Sequence, residues 1–364
     1  MKTKLKIPFS INRGDKRTLV AQVIDGLRFA IVGGFYRAGD LLPGSRELAE
    51  DLGISRIVTL AALRTLTAEG YIEARPRIGS MVRDRGEKSW RGRVLLVCPD
   101  GDDCFFQNIF AGALRDRLTD AGYLFSEVVV KTDVRGKYDF TRLDAALSMR
   151  ADLVVVMYAR EEIFNYLARR KTPFAVFGEV TKPPRGAVGS VLLDYDGAVD
   201  AFVDACKAKR IKKVTVVYWH TLMCNPIPAL ERACIQARAV NASPEFPDGR
   251  VVGVQRAGLD LMTRLLADRH LHRDELYFFA DDFLTVGALA ALSYHGCKAP
   301  EDLKLATWAN RELGPIYPRR LSRMEMDEVA AGNIAASSVI EYLLSGAFPR
   351  GVSVKPVWHQ GETM

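Results

Sequence analysis

Basic and hydroxyl side chains cluster at the start of two short predicted helices near the beginning of the chain. Arg46 begins the first helix, and Ser55 and Arg56 begin the second. Free backbone N–H groups and the helix dipole favour a bound phosphate at such helix starts. Thr59 follows in the first turn of the second helix, where a side chain can reach base edges in a DNA major groove. These residue types at this spacing predict a surface that binds duplex DNA.

A second basic group flanks the tip of a predicted β-hairpin. Two strand-like pieces, Tyr71–Ala74 and Ser80–Val82, are joined by a turn that carries Arg75 and Arg77. Arginines at such a tip suit an adjacent minor groove or the phosphate backbone. The candidate DNA-binding residues are Arg46, Ser55, Arg56, Thr59, Arg64, Arg75, Arg77 and Gly79.

The apolar spacing around these residues predicts the elements that position them. Helical periodicity covers residues 17–33, and Gly33 ends that helix. A short helix over 45–52 ends at Gly53, and a further helix runs from Ser55 to about residue 69. Helices, a four-residue turn, another helix and then a basic hairpin are typical of a winged helix-turn-helix.

The charge of the 364-residue chain is distributed unevenly. Residues 1–91 carry 17 Lys and Arg against 10 Asp and Glu, which accounts for the whole net charge of +7. The remaining residues are balanced. A basic small domain on a neutral large one indicates a polyanion-binding head and a body with another task. A membrane surface is the rival polyanion, but no basic amphipathic helix with an aromatic face is present in the sequence.

The rest of the chain alternates short apolar runs with helical stretches. After a predicted linker at 85–92, the runs are Val94–Val97, Phe125–Val130, Leu153–Met157, Phe174–Phe177, Val214–Tyr218, Val251–Val254, Leu276–Phe279 and Leu305–Trp308. Such runs predict parallel sheets covered on both faces. We expect an α/β fold: a winged helix-turn-helix over 1–84 and a two-lobed, doubly wound domain over 93–364. A TIM barrel is the rival for the body.

Polar residues directly after two of these runs predict a ligand site. Asp281 and Asn310 each follow a strand, and ligands of open α/β lobes bind outside the carboxyl ends of strands. Asp, Asn and Arg suit the hydrogen bonds of a sugar, and Phe105 and Phe106 can supply an aromatic face for its C–H groups. Arg232, which we expect to open a helix after Val214–Tyr218, would add a fork of donors.

The head resembles the GntR family of bacterial regulators across about residues 17–84. The resemblance lies in Leu42-Pro43-Gly44-Ser45-Arg46-Glu47-Leu48-Ala49, Leu52-Gly53-Ile54-Ser55-Arg56, Glu69-Gly70-Tyr71-Ile72 and Gly79-Ser80-Met81-Val82. It implies that Arg46, Ser55, Arg56, Thr59 and the wing around Gly79 contact DNA. Leu60 stands where the family often has Arg, and Val58-Thr59 replaces the usual Thr-Val order.

Residues 92–364 resemble the periplasmic-binding-protein-like core of LacI-type regulators. The resemblance is carried mainly by Phe278-Phe279-Ala280-Asp281-Asp282, the following run 286–292, and residues 300–310. It implies an effector site at Asp281, Arg232 and the Ala309-Asn310 pair. The candidate effector-binding residues are Phe105, Phe106, Asp194, Arg232, Asp281 and Asn310. Ala309 replaces an Asp that usually binds sugar hydroxyls, and Ile235 replaces a usual Gly.

Together the two resemblances imply a transcriptional regulator, expected to be a repressor. Its partners would be double-stranded operator DNA, a small-molecule effector, expected to be a sugar, and a second copy of the chain in a homodimer. Two alternatives stay open at this point. One is a ligand-independent regulator with a vestigial cleft. The other is an enzyme with a DNA-docking head, in which Asp281 and Asp282 act as an acid/base pair, although adjacent residues at a strand end diverge in direction.

The sequence predicts neither a metal site nor a cofactor. The six cysteines form no C-x-x-C pair, and His270 and His272 alternate rather than share a helix face. No signal-peptide pattern and no run of 18 apolar residues is present, so we expect no membrane association and a cytoplasmic location.

Overall fold

The protein consists of a small head and a body with two lobes. The computed structural model describes residues 7–15, 17–84, 90–99, 105–132, 137–149, 151–158, 160–178, 183–219, 222, 224–242, 251–267, 275–311 and 314–364. In this part of the chain no helix is both long enough and apolar enough to cross a membrane.

The head is a winged helix-turn-helix, as predicted. Its elements are α1 (Leu19–Val32), α2 (Ser45–Leu52), α3 (Arg56–Ala68), β1 (Ile72–Arg75) and β2 (Gly79–Val82). Thr18 caps α1 by accepting a hydrogen bond from the N–H of Ala21, and Gly53 ends α2 in the left-handed region. The apolar faces of the three helices and the hairpin enclose one core around Leu27, Leu48 and Leu66.

The N lobe is built on a seven-stranded sheet. Its first elements in chain order are β3 (Gly92–Pro99), α4 (Phe105–Asp120), β4 (Tyr123–Thr132), β5 (Tyr138–Asp139), α5 (Thr141–Leu147), β6 (Leu153–Met157), α6 (Glu161–Arg169), β7 (Phe174–Gly178) and β8 (Ala187–Leu193).

The C lobe is built on a six-stranded sheet and follows in the chain. Its elements are α7 (Asp196–Ala208), β9 (Lys213–Tyr218), α8 (Ile227–Arg232), β10 (Gln236–Asn241), α9 (Val251–Ala267), β11 (Glu275–Phe279), α10 (Asp282–Tyr294), β12 (Lys304–Asn310) and β13 (Ser322–Met326). The chain then returns with α11 (Glu328–Ser345) and β14 (Ser353–Val354) to the N lobe, and with β15 (Val357–His359) to the C lobe.

Both sheets are open and doubly wound, so the TIM-barrel alternative is wrong. The strand order is β14-β8-β7-β6-β3-β4-β5 in the N lobe and β10-β9-β11-β12-β13-β15 in the C lobe. All described pairings are parallel except those of the edge strands β5 and β15. Within β3 successive residues enter different cores: Val94 and Leu96 pack on one face, Leu95 and Val97 on the other. Helices covering both faces explain why the strands are apolar throughout.

The chain passes between the lobes three times. The crossings follow β8 at Asp194, β13 at Asp327 and β14 at Lys355. The Lys355 ammonium lies 3.2 Å from the Asp194 carboxylate, which ties two of the crossings together. Tyr195 and Trp308 meet edge to face at 5.6 Å beside them. We call these three crossings and the contacts between them the hinge.

One predicted strand is wrong. Val251–Val254 opens helix α9, although three of its four residues are the β-branched valine. A short apolar run of this kind occurs both in buried strands and at the buried start of a helix, and periodicity over four residues does not separate them. Strands β5, β8, β10, β13, β14 and β15 are absent from the predicted runs; β10, for example, is an exposed edge strand with mixed polarity.

Candidate DNA-binding surface and effector cleft

Hydrogen bonds join the first turns of α2 and α3 to each other. The hydroxyl of Thr59 lies 2.8 Å from the carbonyl oxygen of Ser45 and 3.0 Å from that of Arg56, and donates to these acceptors. The Arg56 guanidinium donates to the Ser45 hydroxyl at 3.2 Å. Thr59 is completely buried. This placement corrects the expectation that Thr59 contacts a base: it sets the angle between the two helices instead.

Basic residues at the starts of these two helices are exposed to solvent. Arg46 at the start of α2 and Arg56 at the start of α3 are both exposed, and Arg64 is exposed two turns further along α3. Ser55 precedes α3 as its N-cap residue, but its side chain makes no cap hydrogen bond. The exposed Ser55 hydroxyl and Arg56 thus lie at a helix start, an arrangement that suits a phosphate.

The wing is a tight hairpin whose tip carries one of the two predicted arginines. Arg75 pairs with Gly79 across the hairpin, and Gly79 has a φ of 127° that L side chains rarely adopt. Arg77 lies exposed at the tip in the left-handed region, with a φ of 64°. The Arg75 guanidinium bonds to Glu73 at 2.5 Å on its own strand. Arg77 is thus the basic group that the wing presents most freely.

An ion pair links the head to the N lobe. The Arg37 guanidinium, between α1 and α2, donates to the carboxylate of Asp152 just before β6. The second oxygen of Asp152 accepts from the backbone N–H of Arg93 at 2.8 Å. Met149 lies beside Gly33 at the end of α1, where a Cβ would come within 2.8 Å of its methyl group. We call these contacts the head–lobe junction.

The predicted pair Asp281 and Asn310 lies at the carboxyl edge of the C-lobe sheet. Asp281 is the N-cap of α10 and accepts a hydrogen bond from the Leu284 N–H at 2.9 Å. Asp282 is buried and accepts the Asn310 side-chain amide at 2.8 Å. Asn310 is also buried, so its amide group holds Asp282 in place, while Asp281 is the more accessible carboxylate.

Burial raises the pKa of two carboxyl groups at this edge. The pKa of Asp281 is raised to about 7, first by burial and then by the charge of Asp282. Glu328, the first residue of α11, has only 2% of its surface exposed, and one of its carboxylate oxygens has no hydrogen-bond partner. Burial raises its pKa to about 7, and the charges of Asp327, Asp282 and Glu325 add to the rise. Ionisation of these two carboxyl groups is therefore unfavourable in the folded protein.

Replacing Glu328 by Gln is expected to stabilise the protein increasingly as the pH rises. The carboxyl group has a higher pKa when folded than its usual 4.5, so the folded state binds more protons between about pH 4.5 and 7 and loses stability over that window. The gain from E328Q in the free energy of unfolding should grow by about 2 kcal/mol between roughly pH 5.5 and pH 8.5. Urea unfolding at both pH values measures it. Glu341→Gln on the exposed face of α11 is the control, and an equal effect of both variants would contradict the prediction.

Of two further predicted effector residues, Arg232 lies away from the cleft, whereas Asp194 directly follows β8 at the carboxyl edge of the N-lobe sheet. Arg232 ends α8 instead of opening it. Only three residues separate it from β10, whose first residue Gln236 is level with the first residue of β9. Arg232 therefore lies at the amino edge of the sheet, away from the cleft, which corrects the prediction. Asp194 accepts from the Asp196 N–H at 3.2 Å and pairs with Lys355, so we assign it to the hinge.

Phe105 and Phe106 begin α4 after strand β3, but their side chains lie outside the described residues, so the aromatic face stays a prediction. His270, His272 and residues 85–89 of the predicted linker also lie outside the described residues. In the described part of the chain, no three His, Cys, Asp or Glu residues are grouped as metal ligands would be.

Glu328 and the two partners of the head–lobe junction were not predicted from the sequence. Glu328 lies two residues after β13, and that strand is not among the predicted apolar runs, so the rule that finds polar residues after strands could not reach it. Arg37 and Asp152 are 115 positions apart and carry no motif, so only the fold brings them together.

The head matches a known family model. Residues 19–82 match the family described as bacterial regulatory proteins, gntR family, and the head is a helix-turn-helix domain of that type. The uncharacterized HTH-type transcriptional regulator YieP of Escherichia coli (strain K12) is 38% identical over 79 residues, 22% of this chain and 34% of YieP. The probable rhizopine catabolism regulatory protein MocR of Rhizobium meliloti is 41% identical over 61 residues, 17% of this chain and 12% of MocR. The chain thus spans about a third or less of the length of these relatives.

The body has the fold of LacI-family regulators. A LacI-family transcriptional regulator from Arthrobacter sp. FB24, solved in complex with lactose, covers 75% of this chain and 99% of its own, at 20% identity and a TM-score of 0.57. The lac repressor dimer bound to operator and the anti-inducer ONPF covers 75% and 93%, at 13% identity and a TM-score of 0.61. The transcription regulator GntR from Chromobacterium violaceum covers 74% and 99%, at 18% and 0.57. The two-lobed fold that the sequence predicts is confirmed.

Proposed function

We propose that this chain, a gntR-type head on a LacI-like body, is a transcriptional regulator that binds operator DNA under the control of a small molecule. The observation that carries the proposal is the exposed set Arg46, Ser55 and Arg56 on helix starts that Thr59 holds together. A basic surface of this kind supplies phosphate contacts in defined positions. In our proposal the regulator acts as a repressor.

The effector binds in the cleft at the carboxyl edges of the two sheets. Asp281 offers a partly accessible carboxylate there, which can accept two hydroxyl hydrogen bonds of a sugar. Asp282 and Asn310 hold the strand ends that present it. A sugar fits this polar edge, and we propose Asp281 as its main ligand among the described residues.

The effector controls DNA binding by shifting the balance between two arrangements of the lobes. Closure rotates the lobes about the three crossings, and the head follows the N lobe through the Arg37–Asp152 pair. The effector acts only to the extent that it binds one arrangement more tightly than the other. This makes the hinge and the head–lobe junction the parts that transmit the signal.

The regulator works as a homodimer. Winged helix-turn-helix proteins bind two half-sites of a palindromic operator as two-fold dimers. Light scattering after size exclusion measures the oligomeric state.

Selection of duplex DNA from a random pool tests the proposal directly. The full chain is expected to enrich a palindromic sequence, and a second selection with metabolite extract is expected to lose it. A pool without enrichment would refute DNA recognition. Enrichment that extract leaves unchanged would favour the alternative of a ligand-independent regulator with a vestigial cleft.

A matched pair of variants then tests the cleft. Asp281→Ser keeps an oxygen to cap α10 but removes the carboxylate, so the fold is retained. The wild-type protein is expected to gain thermal stability with one member of a carbohydrate and nucleoside panel, and D281S to lose that gain. Asp116→Ser, which removes an exposed carboxylate from the surface of α4, is the control. An unchanged ligand response in D281S would exclude Asp281 from the site.

A further inference from the structure

The outward face of the recognition helix α3 is apolar at its centre. Ile57 is 79% exposed, and Leu60 and Ala61 are partly exposed beside it. Their spacing places them on one stripe, which Arg64 continues one turn further along the helix. The opposite stripe fills the core of the head with Thr59, Ala62, Leu63 and Leu66.

This apolar stripe lies inside a basic frame. Arg56 precedes Ile57 in the chain, Arg46 lies on the helix fastened to the same turn, and Arg64 lies beyond the stripe. The frame favours phosphates, which an isoleucine cannot bond. An isolated exposed Ile is unremarkable on a protein surface. Here, however, it occupies the position from which a recognition helix meets base edges once the arginines hold the backbone.

We infer that Ile57 and Leu60 read the C5-methyl groups of thymines in the major groove of the operator. In that groove the methyl group of thymine is the base substituent that rewards apolar contact, while the other edge groups are hydrogen-bond donors and acceptors. The inference rests on the proposed DNA binding and adds its specificity: half-sites contain thymine under the start of α3. Leu60 makes this sharper, because its side chain carries neither a hydrogen-bond donor nor an acceptor.

Deoxyuridine tests the inference because it lacks the C5-methyl group of thymine and keeps every hydrogen-bonding edge. In the operator obtained by selection, each thymine is replaced singly by deoxyuridine, and binding of the full chain is measured by fluorescence anisotropy. We expect one or two positions per half-site to lower the affinity about fivefold each, as the loss of a buried methyl contact predicts. Replacement of any other thymine should leave the affinity unchanged.

Two substitutions identify the side chains that are responsible for the loss of affinity on deoxyuridine replacement. Ile57→Ala and Leu60→Ala are expected to bind more weakly than wild type and to become insensitive to deoxyuridine at one sensitive position each. Leu344→Ala near the end of α11, an exposed apolar side chain at 65% in the body, is the matched control and should keep the wild-type sensitivity. Circular dichroism verifies that the variants are folded, which the exposure of Ile57 favours.

The outcomes separate this inference from the proposed function. Specific binding with no sensitive thymine, or an I57A variant that keeps the full deoxyuridine penalty, would overturn the methyl readout and leave DNA recognition standing. A shift of I57A from dimer to monomer with unchanged DNA preference would assign the stripe to a protein interface and also overturn it. Failure of the wild-type chain to bind any duplex would overturn both.

Discussion

Replacing Arg46 and Arg56 together by alanine is expected to lower the affinity for operator DNA at least about 100-fold in roughly 0.1 M salt. Both side chains are exposed at helix starts that face the same way. Each phosphate contact releases about one counterion, so the slope of log affinity against log salt should become shallower by about 1.8 for the two contacts. Anisotropy titrations over a salt series measure both quantities.

A double substitution in the body is the control for charge alone. Arg115→Ala with Arg256→Ala removes the same two positive charges from exposed helices far from the head in the chain. Its affinity and salt slope should remain close to those of the wild type. If this pair weakens binding as strongly as the head pair, the basic surface on α2 and α3 is not the site.

Replacing Gly287 by alanine is expected to destabilise the C lobe by about 3 kcal/mol or more. Helices α9 and α10 pack with their backbones in contact at two glycines. A Cβ on Gly287 would lie 1.8 Å from the carbonyl oxygen of Gln255, and one on Gly258 would lie 2.1 Å from that of Leu284. Because backbone atoms of a helix cannot move aside singly, the two helices would have to separate. Urea or thermal unfolding of the full chain measures the loss.

Gly197 provides the matched control. It lies inside helix α7, and a Cβ there would meet no atom within 4 Å. Gly197→Ala should be neutral or stabilise by less than about 1 kcal/mol, since alanine is the better helix former. Gly258→Ala should resemble G287A. A G287A protein as stable as the wild type would mean that the close helix crossing does not exist in solution.

The head could be predicted from sequence almost completely, since its elements are short and bounded by local signals. Glycines at the ends of helices and the hairpin turn are read directly from neighbouring residues. The error at Thr59 arose because helical position alone does not tell which face is buried. Only the carbonyl of Ser45, 14 positions earlier, reveals that the hydroxyl points inward.

In the body the sequence predicts the central strands but not the ends of helices. Leu153–Met157 is a strand with the predicted bounds, because a strand buried on both faces is a continuous apolar run. Arg232 was placed at the wrong end of α8, since that helix is only six residues long and its start is not marked by an apolar period. An error of one helix length moves a side chain from one edge of the sheet to the other.

The head–lobe junction implies that effector binding and DNA binding influence each other. If the Arg37–Asp152 pair transmits closure of the lobes to the head, it also transmits the orientation of a DNA-bound head to the lobes. Thermodynamic linkage then requires operator DNA to change the affinity for the effector by the same factor by which the effector changes the affinity for DNA. Occupied and unoccupied molecules in one cell would thus differ in their sensitivity to the same metabolite.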